Sequence, residues 1–227
     1  MPWAAFGADM RESESDLNRP AYLQLLAEDW LAALPDVQQR LRAAPPARVA
    51  DVGCGGGWSA IALARGFPLV RADAFDLDAP SVALARHNVA EAGLSDRVQV
   101  RHEGIGRVEA EQPYDLVTMF ECLHDLLYPV PALAAVRRLA GAGGAVLVAD
   151  MKVAEDFTAP GNLVERLMYG FSLSICLPDS MSSPGSAATG TMLRPAALRL
   201  MAEEAGFGSV DVLPVDHDLW RFYRLRS

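Results

Sequence analysis

The fold is decided by the stretch Asp51-Val52-Gly53-Cys54-Gly55-Gly56-Gly57-Trp58, which joins a short apolar run to a helical pattern over residues 59–65. A strand that ends in glycines and turns straight into a helix leaves backbone N–H groups free to bind a nucleotide-type ligand. A dinucleotide-binding loop needs a further glycine at position 58, where helix and strand pack closely around a pyrophosphate. Because Trp58 stands there, the loop predicts a ligand without a pyrophosphate.

Three further segments follow this loop and complete a set of four landmarks. Residues 72–78 join an apolar run to Asp76, an acid suited to accept both hydroxyls of a ribose. Residues 114–121 have the pattern of a buried strand, and residues 139–150 have a Gly-rich turn followed by an apolar run. Strands that alternate with helices predict a parallel sheet, which binds ligands at the carboxyl ends of its strands.

The expected strands lie near residues 48–52, 69–76, 97–103, 114–120 and 145–150. Two more apolar segments, residues 210–213 and 219–225, are separated by about one turn and predict a closing hairpin. Asp78 and Pro80 are typical of a helix start, and Gly93 of its end. The chain is therefore expected to be an α/β protein.

In the order of its landmarks the chain resembles the class I S-adenosylmethionine-dependent methyltransferases, over about residues 48 to 150. The resemblance implies a Rossmann-like doubly wound sheet of seven strands with an antiparallel last strand. It also implies S-adenosyl-L-methionine as cofactor and S-adenosyl-L-homocysteine as product. The residues that it assigns to cofactor binding are Asp51, Gly53, Cys54, Gly55, Asp76, Leu77, Gly104, Ile105 and Phe120.

For two of these residues the expected role is stated more closely. Asp51 is expected to fix the loop, or to bind the ammonium group of the cofactor directly or through water. The family usually carries an acid for the adenine amino group where this chain has Gly104. Backbone groups of Gly104 and Ile105, or the side chain of Glu103, are the candidates to replace that acid.

Composition excludes some partners. The net charge of −9 and the sparse arginines disfavour a nucleic acid, because a phosphate backbone would be repelled. The chain has no apolar run of about 20 residues and no secretory signal, so we expect a cytoplasmic protein without membrane contact. Its three cysteines show no metal-ligand spacing, and structural thiols are expected rather than a metal site.

The length fits one large domain with an insertion. Residues 1–46 are expected to form an amino-terminal helical cap, and residues 47–227 the methyltransferase domain. Residues 151–194 depart from the alternating pattern and contain a predicted helix at 162–176 with one apolar face. This insertion is expected to be a substrate lid, with an oligomer contact as the alternative role and a homodimer left open.

Segments around Tyr169, Phe171 and Trp220 resemble a bacterial subgroup of small-molecule methyltransferases, and these three residues are the expected substrate contacts. Many members of that subgroup carry a winged-helix-like segment before the catalytic domain. We expect this segment to be missing or cut away here.

His124 and Glu121, just past the fourth expected strand, are the catalytic candidates. The alternative for His124 is to cap or pack a short helix. The alternatives for Glu121 are a contact with the amino group of the cofactor and a structural role. Methyl transfer mostly needs alignment of the reactants, and a base is needed only when the acceptor arrives protonated. The leading hypothesis is therefore methyl transfer to a small-molecule acceptor by in-line displacement. Alternatives are a relative with non-methylating chemistry, such as a decarboxylase or cyclase, and a non-catalytic regulatory module that keeps the cofactor pocket. A nicotinamide-dependent oxidoreductase is disfavoured by Trp58.

Overall fold

The computed structural model describes residues 1–227, and its centre is one sheet of seven strands. The strands are β1 (Arg48–Val52), β2 (Arg71–Asp76), β3 (Val98–His102), β4 (Leu116–Phe120), β5 (Ala145–Met151), β6 (Ser209–Val212) and β7 (Trp220–Arg226). Their spatial order is β3-β2-β1-β4-β5-β7-β6. Strands β1 to β5 pair in parallel, and β7 runs antiparallel to both β5 and β6. The predicted fold class is confirmed, including the antiparallel last strand.

All predicted strands are present, and their ends shift by no more than two residues, as at β2, which starts at Arg71 rather than Leu69. Strands β1 and β4 lie inside the sheet and are almost wholly buried, as expected for continuous apolar runs covered on both faces. Chain order reverses between β1 and β4, so the carboxyl ends of these two strands form the crevice where such sheets bind ligands.

Eight α-helices surround the sheet: α1 (Ala8–Leu25), α2 (Pro35–Arg42), α3 (Trp58–Gly66), α4 (Ala79–Glu91), α5 (Pro129–Ala140), α6 (Leu163–Phe171), α7 (Leu177–Ser180) and α8 (Pro195–Glu204). One apolar cluster joins one face of the sheet to residues of α2, α3 and α4 and to the segment that follows α1. A second cluster joins the other face to α5 and α8. None of the helices is long and apolar enough to span a bilayer.

The amino-terminal segment packs into the core of the domain. Helix α1 continues into a wider helical turn, Leu26–Trp30, and Trp30 is almost fully buried. The Trp30 ring packs against Phe120 at the end of β4 and against Trp220 and Phe222 on β7, with ring centroids 6.3, 5.2 and 5.0 Å away. This aromatic cluster fixes the segment over the carboxyl edge of β4.

The predicted helix at 162–176 is helical throughout, but it widens after Phe171 into a π-helical turn, Ser172–Cys176. The apolar row of this helix, which includes Leu163 and Leu167, faces outward. Leu163 is 75% exposed and Leu167 is 52% exposed. The buried side carries Glu165, whose carboxylate accepts hydrogen bonds from Arg194 (3.1 Å) and from the backbone N–H of Ala154 (3.2 Å). A buried carboxylate needs such partners, and they set which side of the helix faces the domain.

Replacing Trp30 by alanine is expected to lower the free energy of unfolding by about 3 to 5 kcal/mol, because it removes a buried aromatic side chain and leaves a cavity. Urea unfolding followed by circular dichroism measures the change. Trp30→Phe is the matched control: it keeps a ring, and the indole N–H that it removes has no hydrogen-bond partner. Equal loss in the two variants would contradict the packing explanation.

Candidate functional site

The glycine loop between β1 and α3 is held against its neighbours by close backbone approach. A Cβ atom on Gly53 would lie 2.6 Å from the Cβ of Cys122, and one on Gly56 would lie 1.9 Å from the Ser15 hydroxyl of α1. Gly53 also has a φ of +66°, which favours glycine. The backbone N–H groups of Gly53 and Cys54 donate to the carbonyl of Phe75, at 2.9 and 3.1 Å. The loop is therefore fixed to β2, with α1 lying over it.

Asp76 ends β2 beside this loop. One oxygen of its carboxylate accepts a hydrogen bond from the backbone N–H of Gly55 (2.9 Å), and the other accepts one from the N–H of Asp78 (2.8 Å). Burial raises the pKa of Asp76, although these two hydrogen bonds oppose the rise. A carboxylate and a backbone turn thus meet at one point of the sheet edge, as the sequence predicts.

Asp51 lies one layer deeper, inside the sheet. Its two carboxylate oxygens accept hydrogen bonds from the hydroxyls of Thr118 on β4 (2.7 Å) and Ser59 on α3 (2.5 Å). Burial raises the pKa of Asp51 to about 6, against the effect of both hydroxyls. These contacts join β1, β4 and α3, and they favour the first of the two predicted roles, fixing the loop.

The other predicted cofactor residues line the edge beyond β2 and β3. Leu77 is 70% exposed, and its side chain lies across Gly104, where an added Cβ would be 3.0 Å from a Leu77 methyl. Ile105 is buried just behind Gly104. A side chain at position 104 would therefore need the exposed Leu77 side chain to shift slightly.

Glu121 follows β4 with a φ of +50°, an uncommon conformation for a residue with a side chain. Its carboxylate accepts a hydrogen bond from the Trp220 indole N–H (2.6 Å) and another from the Asn18 amide of α1. Burial raises the pKa of Glu121 to about 8. Both oxygens therefore join α1 to β7, and Phe120 next to it packs on the Tyr22 ring of α1, 5.6 Å between centroids. Catalytic contact by Glu121 stays a prediction.

His124 lies in the short helical turn Leu123–Asp125 after β4, and it is buried. Its Nδ1 donates a hydrogen bond to Asp150 at the end of β5 (2.7 Å), since an ionised carboxylate can only accept. Its Nε2 lies 3.5 Å from an oxygen of Asp125. Burial lowers the pKa of His124, but Asp125 and Asp150 together outweigh it and raise the pKa well above 6.5.

Asp150 is a candidate site residue that sequence reasoning missed. Strand register pairs Phe120 with Ala149, so the residues after them, Glu121 and Asp150, reach the same edge of the sheet. The available signal was Asp150 itself. It is an acid at the end of β5, and β5 lies next to β4, the strand that precedes His124. It was overlooked because residues 145–150 were interpreted only as a strand.

The insertion and α1 complete the surroundings of His124. The Cys176 thiol of the insertion lies with the His124 and Asp125 side chains, their polar atoms all within 4.8 Å of one another. Burial and the charge of Asp125 raise the pKa of Glu14 on α1. The His124 imidazole thus lies with the carboxylates of Asp125 and Asp150 and the thiol of Cys176, which the turn after β4, β5 and the insertion contribute.

The three predicted substrate contacts are dispersed. Trp220 is buried beside Glu121, as described, and stacks on His217 with ring centroids 4.7 Å apart. The Tyr169 hydroxyl accepts a hydrogen bond from Arg194 (3.1 Å), and the Phe171 side chain is partly exposed. No hydrogen bond joins any of the three to His124, and their contact with a substrate stays a prediction.

Comparison with known proteins gives one family and several relatives. A family described as a methyltransferase domain matches residues 49–144. Ubiquinone biosynthesis O-methyltransferase of Paracidovorax citrulli is 35% identical over 117 residues, which are 51% of this chain and 45% of that protein. The protein of the same name in Xylella fastidiosa strain 9a5c is 29% identical over 180 residues, 77% of this chain and 66% of that protein.

Among solved structures, N,N-8-amino-8-demethyl-D-riboflavin dimethyltransferase of Streptomyces davawensis aligns with a TM-score of 0.68 at 20% identity. The alignment covers 100% of this chain and 62% of that one. The chain spans about half to two thirds of the length of the proteins that it matches. The matched domain, the strand order and the antiparallel last strand agree, and the chain has the fold of the class I S-adenosylmethionine-dependent methyltransferases.

Proposed function

We propose that this protein transfers a methyl group from S-adenosyl-L-methionine to a small-molecule acceptor by in-line displacement. The proposal rests on one observation. Two sets of functional groups lie along the same edge of the sheet. The glycine loop and Asp76 lie at the ends of β1 and β2, and the His124–Asp150 pair lies at the ends of β4 and β5. A cofactor held by the first set would present its reactive end towards the second.

The residues of the first set fit the cofactor. Asp76, already a hydrogen-bond acceptor at the sheet edge, would bind the ribose hydroxyls, and Leu77 would cover one face of the adenine. The loop around Gly55 would accommodate the methionine portion. Helix α1 would close over it, because Ser15 accepts a hydrogen bond from the Trp58 indole (3.0 Å) and Arg11 pairs with Asp78 (2.6 Å).

The residues of the second set fit the acceptor. The cofactor, when bound, supplies an activated methyl group on a positively charged sulfur. Asp150 fixes the His124 ring through Nδ1, which leaves Nε2 directed at Asp125 and the insertion. Because Asp125 and Asp150 raise its pKa, His124 would take the proton of a hydroxyl acceptor only in its neutral form, and the insertion would cover the acceptor as a lid. Such a fixed, buried imidazole supports a catalytic role over a purely regulatory one.

The names of the two O-methyltransferase relatives support a small molecule as acceptor, and the charge of −9 argues against a nucleic acid.

A homodimer is also part of the proposal, supported by the exposed apolar row of α6. A cytoplasmic location stays a prediction.

Methyl-labelled S-adenosyl-L-methionine, incubated with the protein and a small-molecule extract of its host, tests the reaction. A labelled small molecule in the organic or aqueous fraction is the expected result. An altered acceptor in the extract, with the methyl label still on the cofactor, would support non-methylating chemistry instead.

Asp76→Ala is expected to raise the dissociation constant for S-adenosyl-L-homocysteine by roughly 10- to 100-fold, because charge-assisted hydrogen bonds contribute about 1.5 to 3 kcal/mol. Isothermal titration calorimetry measures the constant. Asp96→Ala removes an exposed carboxylate in the loop before β3 and serves as the matched control. If the two variants bind with the same constant, the ribose assignment is wrong.

His124→Ala is expected to lower kcat for a hydroxyl acceptor by about 10²- to 10⁴-fold, the usual contribution of a general base. The affinity for S-adenosyl-L-homocysteine should change little, because His124 lies outside the cofactor set. Steady-state transfer of labelled methyl groups measures kcat, and His87→Ala, on the exposed side of α4, is the control. An unchanged kcat would remove His124 from the mechanism.

A further inference from the structure

Three side chains of different chemistry converge where the insertion meets the turn after β4. A ring nitrogen of His124, a carboxylate oxygen of Asp125 and the Sγ of Cys176 all lie within 4.8 Å of one another. The Nε2 and the Asp125 oxygen are 3.5 Å apart. The sequence spacing predicts no metal site, since Cys176 is far from the other two, and only the folded insertion brings it there.

The polar atoms at this place are poorly satisfied. One buried oxygen of Asp150 has no hydrogen-bond partner, and the Asp125 oxygen and the Thr191 hydroxyl have only the Cys176 thiol or the His124 ring near them. Asp150 and Thr191 are each only 1% exposed. Unsatisfied buried polar atoms cost free energy, and a group of them in one place indicates a bound ligand.

The ring of His124 is oriented as in a metal site. Its Nδ1 donates to Asp150 at 2.7 Å, so its Nε2 is the atom left for coordination. Histidines that bind metals almost always donate their other ring N–H to a carboxylate or carbonyl in this way. Asp125 and Asp150 pair with no lysine or arginine. The surroundings therefore favour a cation.

We propose that His124, Asp125 and Cys176 bind one thiophilic divalent cation of the Zn²⁺ type. Imidazole and thiolate ligands suit Zn²⁺, whereas Mg²⁺ and Ca²⁺ require oxygen ligands. Three protein ligands leave a fourth tetrahedral position open, as in zinc sites that bind a small molecule. With metal–ligand bonds of about 2.0 to 2.3 Å, tetrahedral ligand atoms lie roughly 3.3 to 3.8 Å apart. The observed 3.5 Å between Nε2 and the Asp125 oxygen already fits this range.

Binding connects two parts of the chain. The ion would join the insertion, through Cys176, to the turn after β4, through His124 and Asp125. The proton of the Cys176 thiol, and any proton on Nε2, would pass to solvent as the bonds to the ion form. Because a coordinated Nε2 cannot take a proton, the metal-bound form and the form with His124 as base exclude each other. The site itself does not depend on methyl transfer.

Titration of Co²⁺ into the reduced, chelator-treated full chain tests the site, because a cysteine ligand gives an intense thiolate-to-cobalt charge-transfer band. We expect this band in the unaltered protein, its loss on adding Zn²⁺, and its absence in Cys176→Ala. Cys122→Ala is the matched control and should keep the band, since that buried thiol donates to the carbonyl of Val52 (3.2 Å) instead. Asp150→Asn should weaken Co²⁺ binding by about 10- to 100-fold, as expected for a group that orients a ligand.

Three outcomes would overturn the site: no band in the unaltered protein, a band that persists in Cys176→Ala, or equal loss in Cys122→Ala. Circular dichroism on the same samples shows that each variant is folded. Calorimetry with S-adenosyl-L-homocysteine separates the two proposals. Cofactor binding without a cobalt band rejects the metal site alone, and a cobalt band without cofactor binding rejects the methyltransferase proposal alone.

Discussion

The close approach of the β1–α3 turn to its neighbours is the constraint on which the rest of the structure depends. Gly53 lies against Cys122 and Gly56 lies against Ser15, at distances that leave no room for a Cβ atom. The turn can therefore pass between β4 and α1 and still present the Gly55 N–H to Asp76. The buried carboxylate of Asp51 supports it from below through Thr118 and Ser59. One backbone turn thereby sets the position of α1, of the β2 carboxylate and of the β4 end.

A second principle follows from the sheet order. Strands β4 and β5 are neighbours, so His124 and Asp150 meet although they are distant in sequence. The cluster around His124 holds more carboxylates than cations, which makes this end of the crevice favourable for positive charge. A sulfonium, a divalent ion or a proton on His124 would each relieve it. The proposed chemistry and the proposed metal site are two consequences of this charge excess.

The insertion shows how polar groups can override an apolar pattern. Helix α6 carries a regular apolar row, yet Glu165 faces the domain because its carboxylate has Arg194 and the Ala154 N–H as partners there. The row that includes Leu163 and Leu167 is left exposed. Helical periodicity predicts that a helix has an apolar face, but the partners available in the fold decide which face is buried.

The sequence by itself determined the strands, the order in which the candidate residues follow them, and the approximate place of the predicted cofactor residues. Periodicity and glycine spacing are local properties, so Asp51, Gly55, Asp76 and Gly104 could be located without coordinates. Only the tertiary structure decided that Asp51 is buried, that Asp150 orients His124, and that Cys176 joins them. Those contacts link residues on different elements, and their geometry is set by packing across the sheet, for which a single sequence carries no local signal.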